Sequence, residues 1–141
     1  MPITTDDAQE ILTSVFPDWV KQLRLRVAGI GGESVTISMP ARDEIRRIGN
    51  AVSGQASLAL VDTAMVVALA NALGGFRPVG TVDLTFSFMR PMQGPEILCE
   101  ATVLRLGRSM AFCRAELRET GSDRIAVHAT GTYAVPPSTP G

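Results

Sequence analysis

From Ser53 to Leu73 the chain reads SGQASLALVDTAMVVALANAL, apolar at almost every position, with one carboxylate, Asp62, in its middle. The stretch predicts one long helix, about 30 Å from end to end. Ser53 is a good N-cap type, Gly54 adds backbone freedom, and Gly74–Gly75 supplies a left-handed stop with Pro78 shortly beyond. A helix that is apolar all round is normally buried on all sides. The remaining elements are therefore expected to wrap it.

Upstream, Thr4/Thr5–Asp6 opens a short amphipathic helix over roughly residues 5–15, with Ile11, Leu12 and Val15 on one side, and Phe16–Pro17 ends it. Leu23, Leu25 and Val27 then alternate with Arg24 and Arg26, predicting a half-exposed strand. Gly29–Gly32 includes a turn. Val35, Ile37 and Met39 alternate with Thr36 and Ser38, a second strand closed by Pro40. Residues 41–52 carry charge and a Gly–Asn pair, and read as a loop bringing Arg46, Arg47 and Asn50 to the start of the long helix. Such a loop is either solvated or one wall of a ligand site.

Strands dominate after the helix. Thr81–Met89 alternates strictly, with Val82, Leu84, Phe86 and Phe88 on one face and Thr81, Asp83, Thr85 and Ser87 on the other, until Arg90–Pro91 stops it. Three more strands are expected near 96–105, 109–119 and 124–135, joined by turns at Leu106–Arg108 and Gly121–Asp123. The fold class is α+β: a mostly antiparallel sheet curled round one helix, a single domain over 1–136 with a disordered tail at 137–141. The outer sheet face keeps an apolar set, either Met110 and Phe112 or Ala111 and Cys113, which favours burial against a second subunit.

Composition narrows the function classes. A 141-residue chain fits one domain, and 45% apolar content is ordinary for a soluble globule. Net charge is −1 with a pI near 5.8, which gives a nucleic-acid partner no support. Twelve of the 13 cations are Arg, a bias that suits phosphate binding but also follows codon usage. No charged segment precedes an apolar run at the start, so no signal peptide is expected. The longest apolar run is broken by Asp62 and Thr63 and reads as too short to span a bilayer. Cys99 and Cys113 have no CxxC spacing and read as free core thiols of a cytoplasmic protein. With one His, no zinc site of the usual His/Cys kind is expected.

Asp62 is the first candidate for chemistry. It shares its helix face with Gln55, Leu58, Ala59, Met65 and Val66, none of them a cation. Burying an unpaired carboxylate costs several kcal/mol or raises its pKa. Two readings stay open: a catalytic base, or an Asp hydrogen-bonded to a neighbouring loop at a wet edge. Gly54 is either a plain helix-start glycine or a backbone donor to a ligand. A Ser53–His128–Asp triad lacks a GxSxG setting, and His128 alternates within the last strand as a structural or surface residue.

The opening SGQ of the helix, the segment TVDLTFSFMRP, the turn LGRSM and the ending VHATGTYAVP together resemble the hotdog-fold acyl-CoA thioesterases, in particular the small single-domain group related to the phenylacetate-pathway thioesterase. The resemblance spans roughly residues 30–136. It implies a sheet of five or six strands round the helix, a homodimer with a continuous sheet, commonly a homotetramer, and active sites at the dimer interface. Members usually open the helix with His-Gly-Gly and place an Asp nine residues after that His. Gly54 and Asp62 match those positions; Ser53 stands where the His would be, and Gln55 replaces the second Gly. The resemblance implies Asp62 as general base or nucleophile and the Gly54 N–H as the group polarising the thioester carbonyl. Asn50 and Thr81 fall at assisting positions, Thr81 at a place filled from the partner subunit. Arg47, Ser53, Gln55, Arg90, Arg105 and Arg108 are candidate substrate contacts, with Arg90, Arg105 and Arg108 for the CoA phosphates. No metal or separate cofactor is implied, CoA being part of the substrate. The partners expected are acyl-CoA and further copies of the chain, without nucleic acid or membrane. The rival classes are a hotdog protein that holds acyl-CoA or a fatty acyl chain without turnover, which the absent His favours, a hotdog hydratase or dehydratase, and a scaffold without a ligand.

Overall fold

The structure, a computed structural model, describes residues 2–137; apart from Pro137, the expected tail lies outside the described residues. Helix α1, Thr5–Ser14, starts on a reciprocal cap between Thr4 and Asp7 and buries Ala8, Ile11 and Leu12. Backbone hydrogen bonding to Thr4 holds the Asp7 carboxyl below its ordinary pKa. A four-residue helix α2, Asp18–Lys21, follows. It displaces the expected first strand: Leu23 and Leu25 are buried in the lead-in, Arg24 turns with φ 59°, and β1 spans Arg26–Ile30. The other strands are β2 (Ser34–Pro40), β3 (Gly80–Phe88), β4 (Glu96–Leu106), β5 (Met110–Glu119) and β6 (Val127–Ala134), the last starting three residues later than the alternation suggested.

The six strands form one antiparallel sheet in the order β1-β2-β4-β5-β6-β3, curled round α3, Gly54–Leu73. Ser53 caps α3 by accepting the Ala56 N–H at 3.1 Å. Gly74, at φ 82°, ends it with its N–H on the Ala70 and Asn71 carbonyls, a left-handed conformation that favours glycine. Against the helix the sheet presents Val35, Ile37 and Met39, then Ile97, Cys99 and Ala101, then Ala111, Cys113, Ala115 and Leu117, all at most 1% exposed. Of the two outer-face sets, Met110 and Phe112 point outward, with Phe112 37% exposed, while Ala111 and Cys113 lie inside.

Three expectations need correction. The helix is not covered all round: Gln55 and Leu58 are exposed and Asp62 and Val66 half-buried, an open stripe at i, i+3, i+7, i+11. Strand β3 is an edge, and a register shift between Thr81 and Asp83 interrupts its alternation, so Val82 and Phe88 are 54% and 56% exposed. Finally, α3 at 20 residues is long and apolar enough to cross a bilayer by length and composition, contrary to the reading of its broken run. Its apolar surface is largely used in the core, where Leu60, Val61, Ala64, Met65, Val67 and Leu69 are fully buried.

Candidate functional site

Asp62 projects from the middle of α3 along the open stripe. Two hydroxyls meet it, both donating to Oδ1: Thr81 Oγ1 at 3.0 Å from β3 and Tyr133 Oη at 2.7 Å from β6. Thr81 and Tyr133 are register partners across β3 and β6, so their side chains share the inner face. Thr81 reaches Asp62 of its own chain, whereas the resemblance drew it from a partner subunit. No salt bridge involves Asp62 among the described residues. Burial first, and then the Asp62 charge, holds the Tyr133 phenol above its ordinary pKa, so it stays a donor through the neutral range.

A second feature lies at the start of α3. A cleft of about 410 Å³ is lined by Gly54, Val52, Ser57, Phe88, Met92 and Val127, with Arg47 and Arg90 also in its wall. The Ser53 cap takes the Ala56 N–H; the N–H groups of Gly54 and Gln55 lie in the first turn, where a helix supplies no acceptor and its partial positive charge gathers. A Cβ at Gly54 would meet the Phe88 ring at 3.7 Å, ordinary contact, so packing alone does not require glycine there. Its backbone forms part of the cleft wall at the start of the helix.

The remaining candidates divide. Ser53 Oγ is engaged as a cap and its carbonyl accepts the Ser57 hydroxyl, while His128 pairs with Glu116 and Ser87 on the opposite, outer face of the sheet, so no triad forms. Asn50 is exposed, turns at φ 64° and lies outside the cleft lining. Gln55 is exposed on the open stripe. Arg105 faces out beside Phe112, and Arg108 lines a surface pocket with Leu73 and Val135, at the far end of the helix about 30 Å from Gly54. Within one chain the structure brings neither to the cleft. Arg46 is no ligand wall: its guanidinium donates to the Ala41, Asn50, Gln93 and Gly94 carbonyls and clasps the loop to the residues before β4. Tyr133 is the residue missed. The period-two pattern of GTYA placed it on a strand, but its contact with Asp62 crosses 71 residues of sequence.

Among the described residues no three His, Cys, Asp or Glu side chains cluster as metal ligands. Cys99 and Cys113 are buried free thiols, and burial lifts both above the ordinary thiol range, Cys113 to about 12.

Comparison with known proteins agrees with this architecture. A sequence profile described as the thioesterase superfamily matches residues 49–126, more than half of the chain. A protein of Thermoplasma acidophilum carrying a provisional esterase name is 20% identical over 125 residues, 83% of this chain and 87% of its own. A thioesterase of Haemophilus influenzae superposes with a TM-score of 0.85 at 18% identity, covering 99% of this chain and 95% of its own. The phenylacetic acid degradation protein of Thermus thermophilus superposes at 0.74 with 19% identity, covering 85% of this chain and all of its own. With its long helix held in a curled six-stranded antiparallel sheet and its profile match from the helix through β5, the chain belongs to the thioesterase superfamily and has the hotdog fold.

Proposed function

We propose that the protein hydrolyses acyl-CoA thioesters, with Asp62 as general base or nucleophile and the Gly54 N–H polarising the thioester carbonyl. The observation that carries this reading is a half-buried carboxylate, tied by two hydroxyls and, among the described residues, by no cation, on the open stripe of a largely buried helix. Such a group can deprotonate water or attack the carbonyl to form an anhydride with release of the thiol. A helix-start N–H aimed at the developing oxyanion supplies about 10²–10³ in rate.

Eight residues separate Gly54 from Asp62, about 12 Å along a helix, so one carbonyl cannot meet both in one chain. The reading therefore needs two copies, Gly54 from one and Asp62 from the other. The uncovered edge of β3, with Val82 and Phe88 exposed, together with the exposed Leu58 on the open stripe of the helix, is the surface suited to that pairing. Arg47 and Arg90 in the cleft wall then serve the CoA phosphates.

Asp62→Ala is the test. In a thiol-release assay against a panel of acyl-CoA substrates, kcat should fall at least about a hundredfold while the protein stays folded. Unchanged activity ends the assignment. The capped Ser53 at the position of the usual His leaves no second acid–base group there, and this favours the other reading, a protein that binds acyl-CoA without turnover. A titration showing acyl-CoA binding without thiol release would establish it.

A further inference from the structure

We propose that Tyr133 is a positioning residue for Asp62, fixing its carboxylate so that Oδ2 is the oxygen presented for reaction. The inference rests on the reading of Asp62 as the group that acts on the thioester or on water.

Both hydroxyl donors converge on one oxygen. Thr81 Oγ1 and Tyr133 Oη each donate to Oδ1, and Oδ2 has no hydrogen-bond partner among the described residues. The two donors are not equivalent. Thr81 is exposed on an edge strand, where water can replace its hydroxyl. Tyr133 is fully buried, so its hydroxyl has no such exchange; besides Asp62 Oδ1 it reaches the Asp62 backbone carbonyl at 3.4 Å and lies close to the Thr81 hydroxyl. The ring is also locked in place. Gly131, two residues earlier on the same face of β6, is packed so closely that a Cβ there would lie 2.7 Å from Met65 Sδ and 3.3 Å from Tyr133 Cε1. Helix and strand are thus brought close enough for a rigid phenol to hold an aspartate that its own helix leaves free to rotate. A carboxylate with one oxygen held and the other free keeps one orientation through the reaction.

Tyr133 is the only tyrosine in the chain, so the test can be made by substitution and by global labelling. Tyr133→Phe keeps the ring and removes the donor; replacing tyrosine throughout by 3-fluorotyrosine keeps the donor and makes it more acidic. If Tyr133 acts through Asp62, Tyr133→Phe lowers kcat about tenfold with KM within about twofold. It also moves the acid limb of the kcat/KM profile to higher pH, because the reacting group loses a donor. The fluorotyrosine protein moves that limb the other way. An acid limb unmoved in both folded proteins overturns the proposal and leaves Tyr133 as packing. Should Tyr133→Phe fail to fold, the fluorotyrosine protein alone decides. Asp62→Asn, assayed beside them, separates the two levels: full activity there sinks the reading of Asp62 itself and this inference with it, whereas lost activity with unmoved limbs sinks only the role of Tyr133.

Discussion

Three side chains in the core hold protons that the unfolded chain would give up more readily. Burial raises the Cys99 and Cys113 thiols above their ordinary value of 9.0 and the Tyr133 phenol above 10.0. The folded state therefore binds more protons than the unfolded one once pH passes those ordinary values, and stability falls as pH rises. Denaturant midpoints should be flat from about pH 7 to 8.5 as far as these groups are concerned, then decline above about pH 9. Replacing Cys99 by Ala should flatten part of that decline; a midpoint as high at pH 10.5 as at pH 8 contradicts the burial of these groups. The residue scale is also where sequence reading ran out. Asp62 stood out because nothing on its own helix could pair with it. What it pairs with, Thr81 and Tyr133, comes from two strands whose distance in sequence hides the contact. The role of Arg46 was equally hidden: its guanidinium donates to backbone carbonyls, and a backbone acceptor leaves no mark in the residue pattern.

At the scale of elements, the long helix was the most legible part, because its cap, its stop and its unbroken apolar run all agree on one span. Its cap is testable. Ser53→Ala orphans the Ala56 N–H and should cost about 1 kcal/mol in unfolding free energy, seen as a lower denaturant midpoint with an unchanged slope. Strands β2, β4 and β5 were legible within a residue or two because one face of each is buried and alternation records that burial. Strand β3 shows where alternation stops being informative: its apolar face is regular, yet the strand is an edge, and a bulge plus an uncovered flank leave that face half in solvent. Sequence alone cannot separate apolar residues facing this core from those awaiting another surface. The seam between α3 and β6 was not legible, since it depends on a missing side chain. Gly131→Ala drives a methyl against Met65 and Leu84, and Met65 is fully buried with little room to yield. It should destabilise by about 1–3 kcal/mol. A thermal melt showing no loss makes that seam looser than its contacts indicate.

For the whole molecule, the question is whether one chain or two make a site, and two variants at separate positions on α3 answer it. Gly54 is the first helical residue, and Ser53 before it is extended at φ −67° and ψ 153°. That is the conformation a residue before proline prefers, and proline is tolerated at the first helical position. Gly54→Pro therefore removes the N–H while leaving the helix start intact, and should lower kcat by about 10²–10³. Asp62→Ala removes the base. Each alone is inactive on the proposed mechanism. Co-expressed in equal amounts, they form mixed dimers in which one site draws an intact Gly54 from one chain and an intact Asp62 from the other. Half of random dimers are mixed, and each has one intact site of two, so about a quarter of wild-type activity should return. If both groups served one site within a single chain, no pairing could restore it and the mixture would stay as inactive as its parts. The unpaired edge of β3 with its exposed Val82 and Phe88, and the exposed Leu58 of the helix, are the reason to expect recovery. Charging that edge with Val82→Lys should weaken the dimer and the recovered activity together, whereas a charge on the outer face at Thr130 should weaken neither.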